Sequence, residues 1–143
     1  VAISYTPYKV IRSFSDFNDK LYVGSGKHLL RMDAVNGAFT PLNVGFAANI
    51  TALEPFTDNR LYIAQNTANP YSAINVSEGI EIAGAGVNTF QFLKVVHAAT
   101  PVMWGNDSRN TIRSTTNVAN ALTWSLQTSV GSNYQLYRFS QRF

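Results

Sequence analysis

The sequence of 143 residues contains no cysteine, and only 13% of its residues are charged. The absence of cysteine excludes a disulfide framework and a zinc site built on thiolates. Charged residues make up about a quarter of an average chain, so this surface relies on other polar groups. Because hydrophobic residues reach 45%, the low charge does not indicate disorder. The composition is typical of a folded, β-rich domain with amide and hydroxyl side chains on its surface.

Long apolar runs, histidines and clustered basic residues are also scarce. No stretch approaches the roughly 18 apolar residues of a membrane span, and no signal peptide is visible. The two histidines, His28 and His97, lie far apart, whereas a metal site needs three or four ligands. The net charge is only +3, with lysine and arginine scattered, whereas nucleic-acid binding needs a basic stripe. We therefore expect no membrane span, metal, cofactor or nucleic-acid partner.

One short sequence motif occurs twice in the chain. NDKLYVGSG at residues 18–26 recurs as DNRLYIAQN at 58–66, which places Leu21 and Leu61 40 residues apart. A third copy, TPVMWGN, places Val102 a further 41 residues along the chain. A small residue follows each run: Gly24, Ala64 and Gly105. Such a period indicates a repeat architecture in which each unit packs on its neighbours.

Each repeat consists of four short runs separated by turn residues. The first run of each repeat alternates apolar and polar residues, as in KVIRSFSDF, and so predicts a half-buried strand. The second runs, LYVG, LYIA and VMWG, are continuously apolar and predict an inner strand buried on both faces. Asn36-Gly37 is the strongest hairpin signal. No window carries a helical stripe.

Four antiparallel strands in about 40 residues is typical of a β-propeller blade. We predict an all-β fold, a propeller segment of about three four-stranded antiparallel blades plus partial blades at both ends. The blades span approximately residues 8–47, 48–88 and 89–132, and the partial blades span 1–7 and 133–143. An immunoglobulin-like sandwich or another β fold is the alternative, although a sandwich does not repeat itself every 40 residues.

The repeat alignment also predicts the core and an open arc. The second runs should be buried between neighbouring blades, and their predicted core residues are Leu21, Val23, Leu61, Ile63, Val102 and Trp104. Because an exposed blade edge tends to pair, the arc should be joined to more propeller blades, in the same longer chain or in a homo-oligomer. A chain that begins with Val1 rather than Met fits a processed product or a segment of something longer.

One stretch resembles a known family. IRSTTNVANALTWS, residues 112–125, resembles the Asp-box or BNR repeat of sialidases, which reads Ser-x-Asp-x-Gly-x-Thr-Trp. Ser114, Thr123 and Trp124 fit the two ends of that motif, whereas Thr116 stands at the Asp position and the Gly is absent. The resemblance implies a turn between the third and fourth strands of a propeller blade, with Trp124 facing the core. In that family the box is a folding motif away from the active site.

The residues do not assemble the catalytic set of a sialidase. That set contains an arginine triad, a tyrosine nucleophile with a nearby glutamate and an aspartate acid/base. Arg12, Arg31 and Arg113 recur on related strands, but an arginine on an outer strand usually covers apolar surface and points its head to solvent. The three glutamates that could act, Glu54, Glu78 and Glu81, have no partner at a diagnostic spacing. We therefore expect that the protein is not an enzyme.

The sequence thus predicts a non-catalytic scaffold or recognition module of a larger extracellular, envelope or viral assembly. It would bind protein or glycan through the loops that connect strands, and an extracellular or virion-surface location is favoured. Candidate binding residues near strand ends are Tyr8, Tyr71, Tyr134 and Tyr137. One alternative is a fragment of a sialidase-like glycoside hydrolase. Another is a structural subunit that completes a ring with identical copies.

Overall fold

The computed structural model of the protein describes residues 11–33, 36–46, 48–65, 71–81, 90, 92–106 and 111–129. Twelve strands lie in this part of the chain and form three four-stranded antiparallel sheets. The fold is a β-propeller segment, as predicted, and each sheet is one blade. The sheets fall within the predicted ranges 8–47, 48–88 and 89–132, whose limits stay a prediction. The partial blades predicted at 1–7 and 133–143 lie outside the described residues.

The strands follow each other in space in the order in which they occur along the chain. The first sheet contains β1 (Ile11–Phe17), β2 (Lys20–Ser25), β3 (His28–Met32) and β4 (Phe39–Gly45). The second contains β5 (Ile50–Phe56), β6 (Arg60–Gln65), β7 (Ser72–Asn75) and β8 (Ile80–Glu81). The third contains β9 (Phe92–Val96), β10 (Val102–Asn106), β11 (Thr111–Thr115) and β12 (Ser125–Ser129). A short 3-10 helix, Ala121–Thr123, precedes β12.

The turns form where the sequence predicts them. Asn18 and Asp19 connect β1 and β2 with φ angles of 49° and 58°, the left-handed pair that a tight two-residue hairpin needs. Gly37, with φ of 69°, lies in the turn before β4, where the Asp33 amide donates to the Ala38 carbonyl. Asn, Asp and Gly tolerate this conformation best. The predicted Asn36-Gly37 hairpin is therefore confirmed.

Two apolar clusters hold the three sheets together. Between the first and second sheets, Tyr22 and Leu29 pack against Leu61, Ile63 and Ile74. A Cβ atom at Gly24 would lie 2.7 Å from Ile50 Cγ2, so a glycine permits this close approach. Between the second and third sheets the cluster consists of Tyr62, Ala64, Tyr71, Ala73, Phe90, Leu93, Val95, Met103, Val118 and Trp124. These contacts are blade on blade, as in a propeller.

The predicted core is correct in the second sheet and wrong at three positions elsewhere. Leu61, Ile63 and Val23 are fully buried. Leu21 is only half-buried, and it lies near the turn at the start of β2, on the face of the first sheet that points away from the second. Val102 and Trp104 are also only half-buried.

The error in β10 is a register slip of one residue. Met103 pairs with Val95 in the third sheet, and Leu61 pairs with Pro55 at the equivalent position of the second sheet. Leu61 is therefore equivalent to Met103 and not to Val102. Because side chains alternate along a strand, a slip by one residue moves each side chain to the other face. Met103 is fully buried between sheets, and Trp104 lies on the outer face of the third sheet.

Within the described residues no helix is long and apolar enough to cross a membrane. That same part of the chain contains no group of three His, Cys, Asp or Glu side chains that could hold a metal ion.

Candidate functional site

A cluster of charged and polar side chains joins the turns of the first two sheets. The Glu78 cluster, as we call it, consists of Lys20, Tyr22, Arg31 and Glu78. Glu78 lies in the turn between β7 and β8 and has a φ of 65°, which a non-glycine residue rarely adopts. Its carboxylate reaches the first sheet, where Arg31 Nη1 donates to both oxygens at 2.6 and 2.7 Å. The Tyr22 hydroxyl donates to Glu78 Oε1 at 2.8 Å.

The electrostatics of this cluster favour the ionised glutamate. Partial burial raises the pKa of the Glu78 carboxyl, but the hydrogen bonds from Arg31 and Tyr22 outweigh burial and bring the pKa below its ordinary value. Burial and the bond to Glu78 raise the pKa of the Tyr22 phenol, which stays protonated and continues to donate. Lys20 Nζ lies 3.8 Å from Glu78 Oε1 and is more exposed. The cluster is therefore an ion pair that fastens the second sheet to the first.

A polar cavity of about 250 Å³ opens beside this cluster. It is lined by Asp19, Lys20, Arg31, Met32, Asp33 and Thr40. The lining comes from the β1–β2 and β3–β4 turns and the strands next to them, so it belongs to the loops in which the sequence predicts binding. Ammonium, guanidinium and hydroxyl donors lie beside carboxylate acceptors, and this mixture can hydrogen-bond a polyhydroxylated ligand. Sequence reasoning did not find this cavity, because its lining residues form no motif along the chain.

The second sheet has a different set of charges at the equivalent position. The Tyr62 hydroxyl donates to Asp58 Oδ2 at 2.5 Å, and Arg60 Nη1 contacts the same oxygen at 3.2 Å. Arg60 Nε also donates to Glu81, which accepts a further bond from the Asn75 amide. Asp58 Oδ1 is buried without a hydrogen-bond partner. These bonds brace the β5–β6 turn against β7 and β8.

Glu54 fixes the contact between the second and third sheets. Its Oε1 accepts a hydrogen bond from the Val95 amide of β9 at 3.1 Å, and Lys94 Nζ lies 3.8 Å from its other oxygen. Burial raises the pKa of the Glu54 carboxyl, and the Val95 amide and Lys94 lower it by less. β9 is the edge strand of the third sheet. Glu54 therefore supplies an acceptor to the backbone of an edge strand, which would otherwise be open to pairing.

Tyr71 and Trp124 form a buried aromatic contact between the same two sheets. Trp124 Nε1 donates to the Tyr71 hydroxyl at 3.1 Å, and that hydroxyl donates to the Val118 carbonyl. The Trp124 ring also packs on Phe90, with centroids 4.3 Å apart. Tyr71 is fully buried, and burial raises the pKa of its phenol. Tyr71 therefore packs in the core and lines no open face, which corrects its expected position.

The other predicted site residues are placed as follows. Tyr8, Tyr134 and Tyr137 lie outside the described residues, so the binding set as a whole stays a prediction. Of the arginines considered as a triad, Arg12 lies on β1, Arg31 on β3 and Arg113 on β11. Arg31 is bound to Glu78. The three glutamates take part in different contacts and share no common site.

Residues 112–125 run from the third to the fourth strand of the third sheet, where the sequence predicts a turn. Thr123 Oγ1 lies 2.6 Å from Thr115 Oγ1 and 2.7 Å from the Asn117 and Asn120 carbonyls. Asn120 Oδ1 accepts a bond from the Leu122 amide and caps the 3-10 helix. Ser114 pairs with Ser125 at the base of this turn. The turn thus aims Trp124 into the core.

The fold is a propeller segment. In the described residues, Glu78 and Glu54 bind side chains of a neighbouring blade. The sequence matches no protein-family model and none of the curated proteins. Among solved structures, the chain is similar to the computationally designed Ika4 protein, with a TM-score of 0.61 and 13% identity over 94% of this chain and 81% of that one.

Two further solved structures are similar. One is the computationally designed Ika8 protein, with a TM-score of 0.56 and 13% identity over 94% of this chain and 41% of that one. The other is virginiamycin B lyase from Staphylococcus aureus, with a TM-score of 0.53 and 12% identity over 82% and 40%. The chain spans less than half the length of these two proteins. At such identities the likeness shows the propeller fold alone.

Proposed function

We propose that the chain is a non-catalytic propeller scaffold that serves as a recognition module of a larger assembly. The observation that carries this proposal is the polar cavity beside the Glu78 cluster, one wall of which is Arg31, the ion-pair partner of Glu78. Binding loops on a rigid scaffold are a common arrangement in proteins. The ligand we propose is a glycan, because its hydroxyls match the mixed donors and acceptors of the cavity. A protein ligand is the alternative within this class.

The proposed setting is an extracellular, envelope or virion-surface assembly. A composition poor in charge and rich in amide and hydroxyl groups is what motivates this setting. A distant likeness of the turn between β11 and β12 to the Asp-box repeats of sialidases is part of this proposal. In that likeness the turn would act in folding, and Trp124, which is buried, would be its core residue.

A sialidase-like glycoside hydrolase fragment is the competing proposal. It is less well supported, because each glutamate considered for catalysis has a structural partner. Glu78 binds Arg31, Glu81 binds Arg60, and Glu54 binds the Val95 amide. An acid/base or nucleophile needs access to the reacting atoms. Turnover of a fluorogenic arylglycoside that is lost on changing any of these glutamates would contradict the non-catalytic proposal.

Binding to an array of neutral and sialylated oligosaccharides tests recognition directly. Thr40, which is exposed on β4, lines the cavity, so Thr40→Trp should fill it and abolish glycan binding while the free energy of unfolding changes little. Thr128 is exposed on β12, the fourth strand of another sheet, and Thr128→Trp is the matched control that should keep binding. Equal binding by both variants would exclude the cavity as the site.

A further inference from the structure

The chain contains three acceptor sequences for N-linked glycosylation. The secretory transferase modifies the asparagine of Asn-x-Ser and Asn-x-Thr triplets in which x is not proline. Such triplets occur at residues 49–51, 75–77 and 106–108. They also arise by chance in a chain rich in Asn, Ser and Thr, so the sequence alone does not distinguish them. The structure does, because a glycan is bulky and its asparagine must remain in solvent after folding.

The amides of Asn106 and Asn75 are used by the fold. Asn106 is completely buried, and its Oδ1 accepts a hydrogen bond from the backbone of β9 at 2.8 Å. Asn75 Oδ1 accepts bonds from the Ser77 and Gly79 amides, both at 3.0 Å, and so shapes the β7–β8 turn. Asn75 Nδ2 donates to Glu81, and a Cβ atom on Gly79 would lie only 3.2 Å from this nitrogen. A sugar on either asparagine would displace these contacts.

Asn49 has a different environment. It lies in the connection between β4 and β5, and it is exposed. The next residue, Ile50, is buried between the first and second sheets, and its amide donates to the Gly26 carbonyl at 2.7 Å. The backbone is therefore anchored immediately after Asn49. A glycan on Asn49 would extend into solvent and leave this anchor intact.

The hydroxyl of Thr51 completes the acceptor triplet at Asn49. In the described part of the chain its Oγ1 is buried and has no hydrogen-bond partner. A buried hydroxyl without a partner destabilises a fold, and a valine has a similar shape without that hydroxyl. The transferase needs a hydroxyl two residues after the asparagine that it modifies. This need explains a threonine that packing alone does not require.

Asn49 lies at the opposite end of the strands from the polar cavity. The cavity is lined by the β1–β2 and β3–β4 turns, whereas Asn49 lies next to the β2–β3 turn that contains Gly26. Successive turns of an antiparallel sheet lie at opposite ends of its strands. A strand of six residues, such as β2, spans about 20 Å. A glycan on Asn49 would therefore leave the cavity open to a ligand.

We propose that Asn49 carries an N-linked glycan. The reaction joins Asn49 Nδ2 to C1 of the first sugar of a lipid-linked oligosaccharide. The bond between C1 and the lipid diphosphate breaks, the diphosphate leaves, and the amide loses one proton, so nothing is oxidised or reduced. The inference rests on the extracellular setting proposed above, because the lipid-linked donor belongs to the secretory pathway. It adds a covalent modification to a proposal that concerns a bound ligand.

Secretion of the 143-residue chain from cultured insect or mammalian cells tests the proposal. Mass spectrometry before and after peptide-N-glycosidase treatment locates the glycan, because the enzyme converts a modified asparagine to aspartate. The unchanged chain should carry a single glycan, on Asn49. Asn49→Gln and Thr51→Val should each abolish it, and Thr51→Ser should keep it. The unfolding temperature of Thr51→Val should equal or exceed that of the enzymatically deglycosylated unchanged chain. Ser77→Ala, which removes the triplet at Asn75 and leaves the Asn75 side chain unchanged, is the matched control and should keep the Asn49 glycan.

Two results would overturn the proposal. One is a folded, secreted chain with no glycan, and the other is a glycan on Asn75 or Asn106 in place of Asn49. Binding of the unmodified chain, made in bacteria, to the oligosaccharide array is a separate measurement. A chain that carries the Asn49 glycan and binds nothing on the array would contradict the proposed recognition and support this inference. A chain that binds the array and is never glycosylated would do the reverse.

Discussion

Glu78 and Arg31 lie 47 residues apart in the sequence and are joined by two hydrogen bonds of 2.6 and 2.7 Å across the gap between two blades. Glu78→Gln keeps the size of the side chain and removes its charge. We expect the free energy of unfolding to fall by about 1–2 kcal/mol, since bonds to a charged group contribute about 1.5–3 kcal/mol and this pair is only partly buried. Urea unfolding at pH 7 measures the change.

Glu81→Gln is the matched control for that substitution. Glu81 also binds an arginine, Arg60, but it is more exposed and lies within one sheet. Its removal should therefore have a smaller effect than Glu78→Gln, because water screens an exposed ion pair. Equal losses for the two variants would mean that an ion pair between blades stabilises the fold no more than one within a blade.

The pH dependence of stability should separate Glu54 from Glu78. The folded-state pKa of Glu78 is lowered, so its contribution to stability is present above its unfolded pKa and is lost as pH falls through the folded pKa. The folded-state pKa of Glu54 is raised, so its contribution becomes more favourable as pH falls through that pKa. Both changes lie in the acid range, around the ordinary glutamate pKa of about 4.3.

Difference curves measure this pair of effects. The unfolding free energy of the unchanged chain minus that of Glu78→Gln should decrease from pH 7 to pH 3. The corresponding difference for Glu54→Gln should increase over the same range. Curves with the same slope would show that one of the two carboxyls does not have the environment described above.

Tyr71→Phe removes a hydroxyl that is bonded on both sides. The Trp124 indole N–H and the Val118 carbonyl would then lack their partner in a buried place. A buried polar group left unsatisfied costs about 1–3 kcal/mol, and we expect a loss of stability in that range. Trp124 fluorescence in a thermal or urea titration reports the change at the site itself. Stability equal to that of the unchanged chain would show that water replaces the phenol.

The register of β10 predicts unequal effects for two neighbouring residues. Met103→Ala should lower the free energy of unfolding by about 2–5 kcal/mol, because a fully buried side chain leaves a cavity. Val102→Ala should cost less, because Val102 is half-buried on the outer face. In the second sheet Leu61→Ala should resemble Met103→Ala, with a loss of about 2–5 kcal/mol. The reverse order in β10 would restore the register that the sequence repeat predicts. Chemical denaturation measures all three.

The strands and turns could be predicted from the sequence because their signals are local. Alternating residues, continuous apolar runs and the Asn36-Gly37 turn each act within a few positions, and the 40-residue period repeats them. These signals were sufficient for three antiparallel blades. The sequence did not predict which β10 side chains face the second sheet. Residues 97–101 form a longer turn than the equivalent residues 57–59, and this difference shifts the register by one residue. An alignment of short apolar strings cannot detect which face a longer turn selects.

The candidate site depends on contacts that no local pattern contains. Nothing in the sequence around Glu78 indicates that it binds Arg31. Asp19 and Thr40 line one cavity only after the four strands of the first sheet have paired. Tyr71 was expected near a face because it lies at a strand end, yet the neighbouring blade covers it. Only the blade-on-blade packing decides whether a residue at a strand end is a ligand contact or part of the core.

The two joints between blades use different partners. Between the first and second sheets, Glu78 binds the Arg31 guanidinium. Between the second and third, Glu54 binds a backbone amide and Tyr71 binds an indole. Identical repeats can dock on the wrong neighbour during folding, which leads to swapped and misassembled chains. Here the turn with Glu78 finds its arginine on the first blade, and the face with Tyr71 finds its indole on the third. The order of the blades is thus encoded as a set of non-interchangeable contacts, which guide the chain to one arrangement among those that its repeats would permit.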